Sequence, residues 1–334
     1  MKLLILSDGH GNTKALEALA PEAAAADAVL FAGDFAAFGK PETGKPFLEH
    51  LAKLHDHVFA VAGNCDVPEF TEEMENYDLS VQKSLSYFAG LTLAGSGGGS
   101  RFTGTTPNER TDEELTSDLA IVTQSTPEAA QWQNLVVLTH NPPKDTNLDR
   151  TDSGAHVGSA GIRKFIEDCQ PLLVVSGHIH ESRGVDKIGR TRLVNPGALA
   201  EGFYAVAEIS FSGGTANIEG IGMHSLSLPD KNGGASCGFP FDSLRGACAA
   251  SGGGGTQPDG PAACKKSLRK KRSAAERKNP SGAVSSDTAF GFTDCRLLFP
   301  RLQSGRIFRR LRVRHTRFLS FAEGILFPRG GRYL

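Results

Sequence analysis

Five short polar motifs recur in one order along the chain: Asp8-Gly9-His10, Gly33-Asp34, Gly63-Asn64-Cys65-Asp66, Thr139-His140 and Gly177-His178-Ile179-His180. Their metal-capable side chains are three carboxylate or amide groups, on Asp8, Asp34 and Asn64, and four imidazoles, on His10, His140, His178 and His180. Such a mixed set suits two divalent transition ions that share one bridging carboxylate. On an extended segment residues i and i+2 point the same way. Asp8 and His10 can therefore face one cavity together, and so can His178 and His180. A lone histidine is more often a satisfied core or surface residue than a ligand, and one Asp-x-His triplet is a weak signal. An ordered set of five, each at the end of an apolar run, is a strong one. His50, His55, His57 and His224 have no partner motif and are not expected to be ligands.

These side chains need strands to carry them. Apolar runs of strand length lie at residues 2–6, 28–32, 57–62, 91–94, 135–138 and 172–175, with helical stretches expected at 13–26, 46–54, 111–123 and 159–169. That alternation predicts an α/β layered domain. Every run except 91–94 leads into one of the five motifs at its carboxyl end, where open α/β sheets hold their sites. Runs at 184–188, 191–194 and 203–211, with 215–221 as a further candidate, read as antiparallel strands that complete a second sheet. The glycines of Ser96-Gly97-Gly98-Gly99 lack the Lys-Ser/Thr ending of a phosphate-binding P-loop and no helical pattern follows them. They read as a loop beside the metals.

Charge divides the chain. Residues 1–224 carry 16 Lys+Arg against 30 Asp+Glu, whereas residues 225–334 carry 20 against 7. From Ser225 the periodicity stops, and Gly252 to Gly255, Pro258-Asp259-Gly260-Pro261 and the basic run of residues 265–278 predict a flexible, largely unstructured tail. Its composition also fits translation of a region not selected to fold. Within it, residues 296–319 show no clean helical or strand period. No C-x-x-C pair occurs, which argues against a zinc ribbon or finger, and isolated Cys65 and Cys169 suggest free thiols in a reducing compartment. The apolar run after Met1 is too short for a signal segment and no run is long enough for a bilayer. A cytoplasmic location and no membrane partner are the expectation.

On these motifs the sequence resembles the calcineurin-like metallophosphoesterases, whose signature runs D-x-H, G-D, G-N-[HC]-[DE], H and G-H-x-H. It is more closely similar to predicted phosphoesterases related to bacterial cyclic-AMP phosphodiesterase. That likeness is carried by residues 95–99, 105–109, Thr139-His140-Asn141-Pro142-Pro143, Ala155-His156-Val157-Gly158-Ser159, 177–184 and Val194-Asn195-Pro196-Gly197. The resemblance covers residues 1–224 and implies a four-layer α/β/β/α sandwich followed by the basic tail, residues 225–334. It implies that Asp8, His10 and His180 hold one ion, that Asn64, His140 and His178 hold a second, and that Asp34 bridges. A bridging ligand must offset two dications about 3.5–4 Å apart, and Asp34, on a Gly-Asp turn, is the candidate placed for it. Manganese is the ion the resemblance favours, while mixed nitrogen and oxygen ligation also suits iron, nickel or zinc.

The expected activity is two-metal hydrolysis of a small organic phosphate ester, a diester in preference to a monoester, by a metal-bridging hydroxide. Asp34, Asn64, Cys65 and His140 would form the catalytic set. Relatives often have histidine where this chain has Cys65, and a thiol is a weak proton donor to a leaving group. Activated aryl-like or cyclic esters are therefore expected to react best unless another donor exists. Cys65 as a covalent nucleophile or as a small buried filler are the competing roles. Where many relatives have a further Asp three residues after the bridging one, this chain has Ala37. Asn12, His156 and Arg183 are the candidates for binding substrate, with Asn12 and Asp66 also able to orient ligands through hydrogen bonds. The competing function classes are a phosphomonoesterase, a catalytically weak metal-binding scaffold, and a nucleic-acid enzyme whose basic tail attracts its substrate.

Overall fold

In the computed structural model, residues 1–102, 104–125, 129–226 and 311–313 are described. Two sheets face each other, and helices cover the outer side of each. The first sheet is built from β1 (Lys2–Leu6), β2 (Ala28–Phe31), β3 (Val58–Ala60), β12 (Phe203–Ser212) and β13 (Thr215–Ser225), in the order β13-β12-β1-β2-β3. The second is built from β4 (Leu85–Phe88), β5 (Leu91–Ser96), β8 (Leu135–Thr139), β9 (Leu173–Val175), β10 (Gly184–Ile188), β11 (Thr191–Asn195) and β14 (Leu311–Val313). Its order is β10-β11-β9-β8-β5-β4-β14. Two-residue strands β6 (Gly99–Ser100) and β7 (Glu109–Arg110) pair with each other.

The apolar runs are continuous, not alternating, because both faces of the central strands are buried. Along β1, Leu3 and Ile5 enter the core between the sheets, while Leu4 and Leu6 face the helices. In β8, Val136 and Leu138 point between the sheets and Leu135 and Val137 point outward to the other helical layer. The period of two thus divides one run between two cores. Helices α1 (Thr13–Ala18), α2 (Ala20–Ala24), α3 (Gly44–Leu54) and α4 (Phe70–Asn76) cover the first sheet. Helices α5 (Asp112–Ser117), α6 (Ala120–Ser125) and α7 (Ala160–Cys169) cover the second. The expected four-layer α/β/β/α sandwich is the fold.

Two expected helices are each broken. The stretch 13–26 divides at Leu19, because Pro21 in the first turn of α2 has no N–H to give to the preceding turn. The stretch 111–123 divides after Ser117. There Thr116 and Ser117 return their hydroxyls to backbone carbonyls of α5, and Asp118 turns its carboxylate to Arg110. Strand β4 and helix α4 escaped the sequence pattern. β4 joins β5 through a two-residue turn in which Ala89 and Gly90 both have positive φ, 48° and 89°, the geometry that right-twisted hairpins favour.

Of the tail, Leu311–Val313 lies antiparallel to the edge of β4. The glycine-rich and basic runs of residues 252–278, like Cys237, Cys248, Cys264 and Cys295, lie outside the described residues. Cys65 and Cys169 are buried and free. Among the described residues no helix is long and apolar enough to cross a membrane.

Candidate metal centre

Backbone hydrogen bonds align the strand ends before any side chain acts. Asp8 N donates to Gly33 O (2.9 Å), His10 N to Asp34 O (2.9 Å) and Gly11 N to Phe35 O (2.8 Å), which joins the turns after β1 and β2. In the second sheet, His140 N donates to Ser96 O (3.3 Å) and Gly177 N to His140 O (3.1 Å). The sheets meet where His178 N donates to the Asp8 carboxylate at 3.2 Å. Asp8, His10, Asp34 and His178 all have left-handed backbone, with φ of 54°, 44°, 61° and 69°. Such a conformation costs roughly 1–2 kcal/mol per non-glycine residue. Four cases within one cluster mark where the turns have been bent to aim side chains inward. Gly63 and Gly177 permit the close approach, because a Cβ on either would run into the Asp34 or Asp8 carboxylate.

The donors fall into two groups with Asp34 between them. In the first, Asp8 Oδ1 lies 3.3 Å from His180 Nε2 and 4.0 Å from His10 Nε2, and the two ring nitrogens are 3.3 Å apart. In the second, His140 Nε2 lies 2.7 Å from Asn64 Oδ1. Asp34 turns one oxygen to each: Oδ2 is 3.9 Å from His10 Nε2, and Oδ1 is 3.5 Å from His140 Nε2. The His178 ring stands 5.0 Å from that of His140, centroid to centroid. Donor atoms of Asp8-His10-His180, Asp8-Asp34-His140 and His10-Asp34-Cys65 each converge within 4.8 Å, enough to hold a metal ion.

The surroundings favour cations. Asp8 and Asp34 are buried, and among the described residues their ion pairs are with histidines, not with lysine or arginine. Burial alone would raise the Asp8 carboxyl, but His180, His140 and His10 pull it well below the usual carboxylate range. Burial likewise works against a charged His180, yet Asp8 overrides it and lifts that imidazole to about 9. His178 goes the other way, to about 4, through burial and the neighbouring His140. Buried carboxylates whose ion pairs are with imidazoles are what divalent ions would neutralise. The donor chemistry fits them.

A second circle of contacts fixes these ligands, and most of it lies outside the sequence motifs. His140 Nδ1 meets Ala32 O at 2.7 Å and His10 Nδ1 meets Ala36 O at 3.2 Å. A carbonyl only accepts, so each Nδ1 carries the hydrogen and Nε2 keeps its lone pair for a ligand. Asp66 takes backbone N–H groups from Gly63 (2.7 Å), Ala36 (2.8 Å), Asp34 (3.1 Å) and Phe35 (3.2 Å). Burial and the nearby Asp34 raise its carboxyl to about 6. Asn108 donates to Gly63 O at 3.0 Å and takes its own place through its N–H to Asn64 O at 3.1 Å. The glycine loop lies beside the candidate ligands: Gly99 packs on Asn64, and Arg110 holds Gly97 O at 2.8 Å. Nothing periodic announces Asn108 or Arg110. Asn108 lies in the stretch 105–109 that carries the likeness, while the signal for Arg110 is a polar residue near a glycine loop.

The remaining candidates are placed less centrally. Cys65 is buried, its N–H donates to Asp34 Oδ1 at 2.8 Å, and burial with the adjacent carboxylates pushes its thiol far up. Asn12 caps α1 by accepting from Ala15 N (3.3 Å) and donates to Ala200 O (3.1 Å), so both ends of its amide are already engaged. Arg183 donates to Pro196 O (3.0 Å) and His224 O (2.8 Å) with its guanidinium 4.4 Å from the Phe203 ring centroid. His156 bonds Asp149 at 2.7 Å. His55 and His57 lie at the start of β3, the end opposite its motif, and His224 stacks on Tyr204.

The chain is similar to known proteins. A family model for calcineurin-like phosphoesterases matches residues 1–182. An uncharacterized protein of Methanocaldococcus jannaschii, MJ1162, is 36% identical over 202 residues, which is 59% of this chain and 88% of that one. Among solved structures, one with 20% identity aligns with a TM-score of 0.54 over 68% of this chain and 99% of its own. Another, TT1561 of Thermus thermophilus, has 21% identity and a TM-score of 0.46 over 61% of this chain and 92% of its own. With its sandwich, its strand-end donors and more than half its length matched, the chain belongs to the calcineurin-like phosphoesterase family and is a metal-dependent phosphoesterase.

Proposed function

We propose that this chain hydrolyses a small organic phosphodiester with two divalent ions, manganese foremost. Asp8, His10 and His180 would hold one, Asn64, His140 and His178 the other, and Asp34 would be shared. The observation that carries this reading is the Asp34 carboxylate, whose two oxygens face different donor groups, 3.9 Å from His10 and 3.5 Å from His140. Divalent ions supply Lewis acidity toward phosphoryl oxygens and make water acidic enough to attack near neutral pH.

The chain's own residues do the rest. Ala32 and Ala36 carbonyls fix the tautomers of His140 and His10. Asp66 holds the turn that aims Asp34. No protein nucleophile is required, and Cys65 is a buried thiol whose N–H holds Asp34. The test is metal analysis of the purified protein, then a panel of bis-aryl and mono-aryl phosphates with each ion added back. Faster turnover of bis-aryl esters is expected. A preference for mono-aryl esters would make the enzyme a phosphomonoesterase, and bound metal without turnover would make it a scaffold.

A further inference from the structure

Cys65, where relatives often carry histidine, is buried with its N–H on Asp34 and offers only a thiol toward the departing oxygen. One other imidazole is built like a proton donor. His156 sits on the segment of residues 141–159 that follows His140. Its Nδ1 lies 2.7 Å from Oδ1 of Asp149, and that carboxylate is fully buried. An ionised carboxylate only accepts, so Nδ1 carries the hydrogen and Nε2 points away from the pair. Nε2 has no hydrogen bond among the described residues, and the side chain is 37% exposed.

The orientation is enforced. Asp149 also accepts N–H bonds from Thr146 (2.8 Å), Asp145 (3.0 Å) and Gly158 (3.0 Å). Burial would raise its carboxyl, but these bonds and His156 keep it below the ordinary range. The segment is fastened beside the candidate ligands at both sides. Ser159 N donates to Pro142 O (2.9 Å) next to His140, and Asn141 accepts from Ser100 N (2.9 Å) in the loop behind Asn64. Arg150, which bridges to His156, accepts the hydroxyl of Ser182, two residues past His180. The span that carries His156 therefore runs from His140 to the turn that holds His180. Elsewhere, His50 and His55 bond backbone carbonyls, His57 packs on Phe88 and His224 stacks on Tyr204.

We propose that His156 is the general acid of the reaction and Asp149 its positioning residue. As an oxygen from water bonds to phosphorus and the P–O bond to the leaving group breaks, the imidazolium gives its Nε2 proton to the departing oxygen, which leaves as the neutral alcohol, and the ring is reprotonated by the proton that the attacking water released. The proposal rests on the phosphodiesterase reading above. Its test compares the metal-loaded full chain with His156→Ala on a series of phosphodiesters whose leaving groups run from dinitrophenolate to alkoxide. Metal content and thermal melting are measured on both. His156→Ala should keep its metal and its melting temperature, and hydrolyse dinitrophenyl esters near the wild-type rate. It should lose on the order of 10²- to 10⁴-fold on alkyl esters, with added imidazole restoring part of that loss. Asp149→Asn should steepen the same leaving-group dependence to a smaller degree. An equal loss across the series with no rescue, or no loss at all, would overturn the assignment. A wild-type chain that holds metal but cleaves no ester would instead overturn the reading beneath it.

Discussion

At the scale of single residues, the centre depends on one carboxylate facing two ways and another that holds it there. Asp34→Asn keeps the shape but halves the side chain's ability to ligate, so the protein should fold while turnover falls by at least about 10²-fold and metal content drops; inductively coupled plasma analysis beside a rate assay checks this. Asp66→Asn leaves one acceptor oxygen for four backbone donors. About 1–3 kcal/mol of stability should go, and metal affinity should weaken roughly 10- to 100-fold, measurable by denaturant melts and metal titration. Unchanged affinity would mean that Asp34 is aimed by something else. Convergence of Asp8, His10, Asp34, Asn64, His140 and His180 was legible in the sequence because each stands just past a strand end; the extended i, i+2 geometry expected for Asp8 and His10 and for His178 and His180 is not how they are aimed, since Asp8, His10 and His178 have left-handed backbone. The Asp149–His156 pair was not. It forms inside an irregular segment, where sequence separation says nothing about direction and only folding brings a buried carboxylate beneath the ring.

Among the elements, strands were easier to read than helices because burial on both faces writes them as unbroken apolar runs. Helix ends answer to local chemistry that a periodicity average hides: Pro21 divides the first helical stretch and the hydroxyls of Thr116 and Ser117 close α5. Strand β4, Leu85–Phe88, is four residues long and shows no clean alternation, and the Ala89-Gly90 turn lacks the usual asparagine or aspartate. Where a cap is explicit, its removal should be measurable. Thr111 and Glu114 form a reciprocal capping box at the start of α5. Thr111→Ala should cost about 1 kcal/mol and lower the melting temperature by roughly 2–4 °C in a domain of this size, without altering metal content. Because α5 packs on the outer layer, a change in metal binding would show that the second sheet transmits strain to the centre.

For the whole molecule, charge separates an acidic segment that carries all the donor strands from a basic one of which Ser225, Leu226 and Leu311–Val313 are described, the last paired to β4. Residues 1–226 contain all the strands that carry donors. We expect a chain ending at Leu226 to fold, bind metal and retain its rate, and to self-associate more readily because the edge of β4 is uncovered; size-exclusion chromatography with activity assays would show it. Loss of catalysis on truncation would assign the tail a place in the site. The central claim is that one carboxylate is shared between two cations. Metal analysis of the purified, manganese-reconstituted chain and of Asp34→Asn tests it most directly: about two equivalents are expected for the former and fewer, with little turnover, for the latter, whereas a fully active chain holding a single ion would contradict the account.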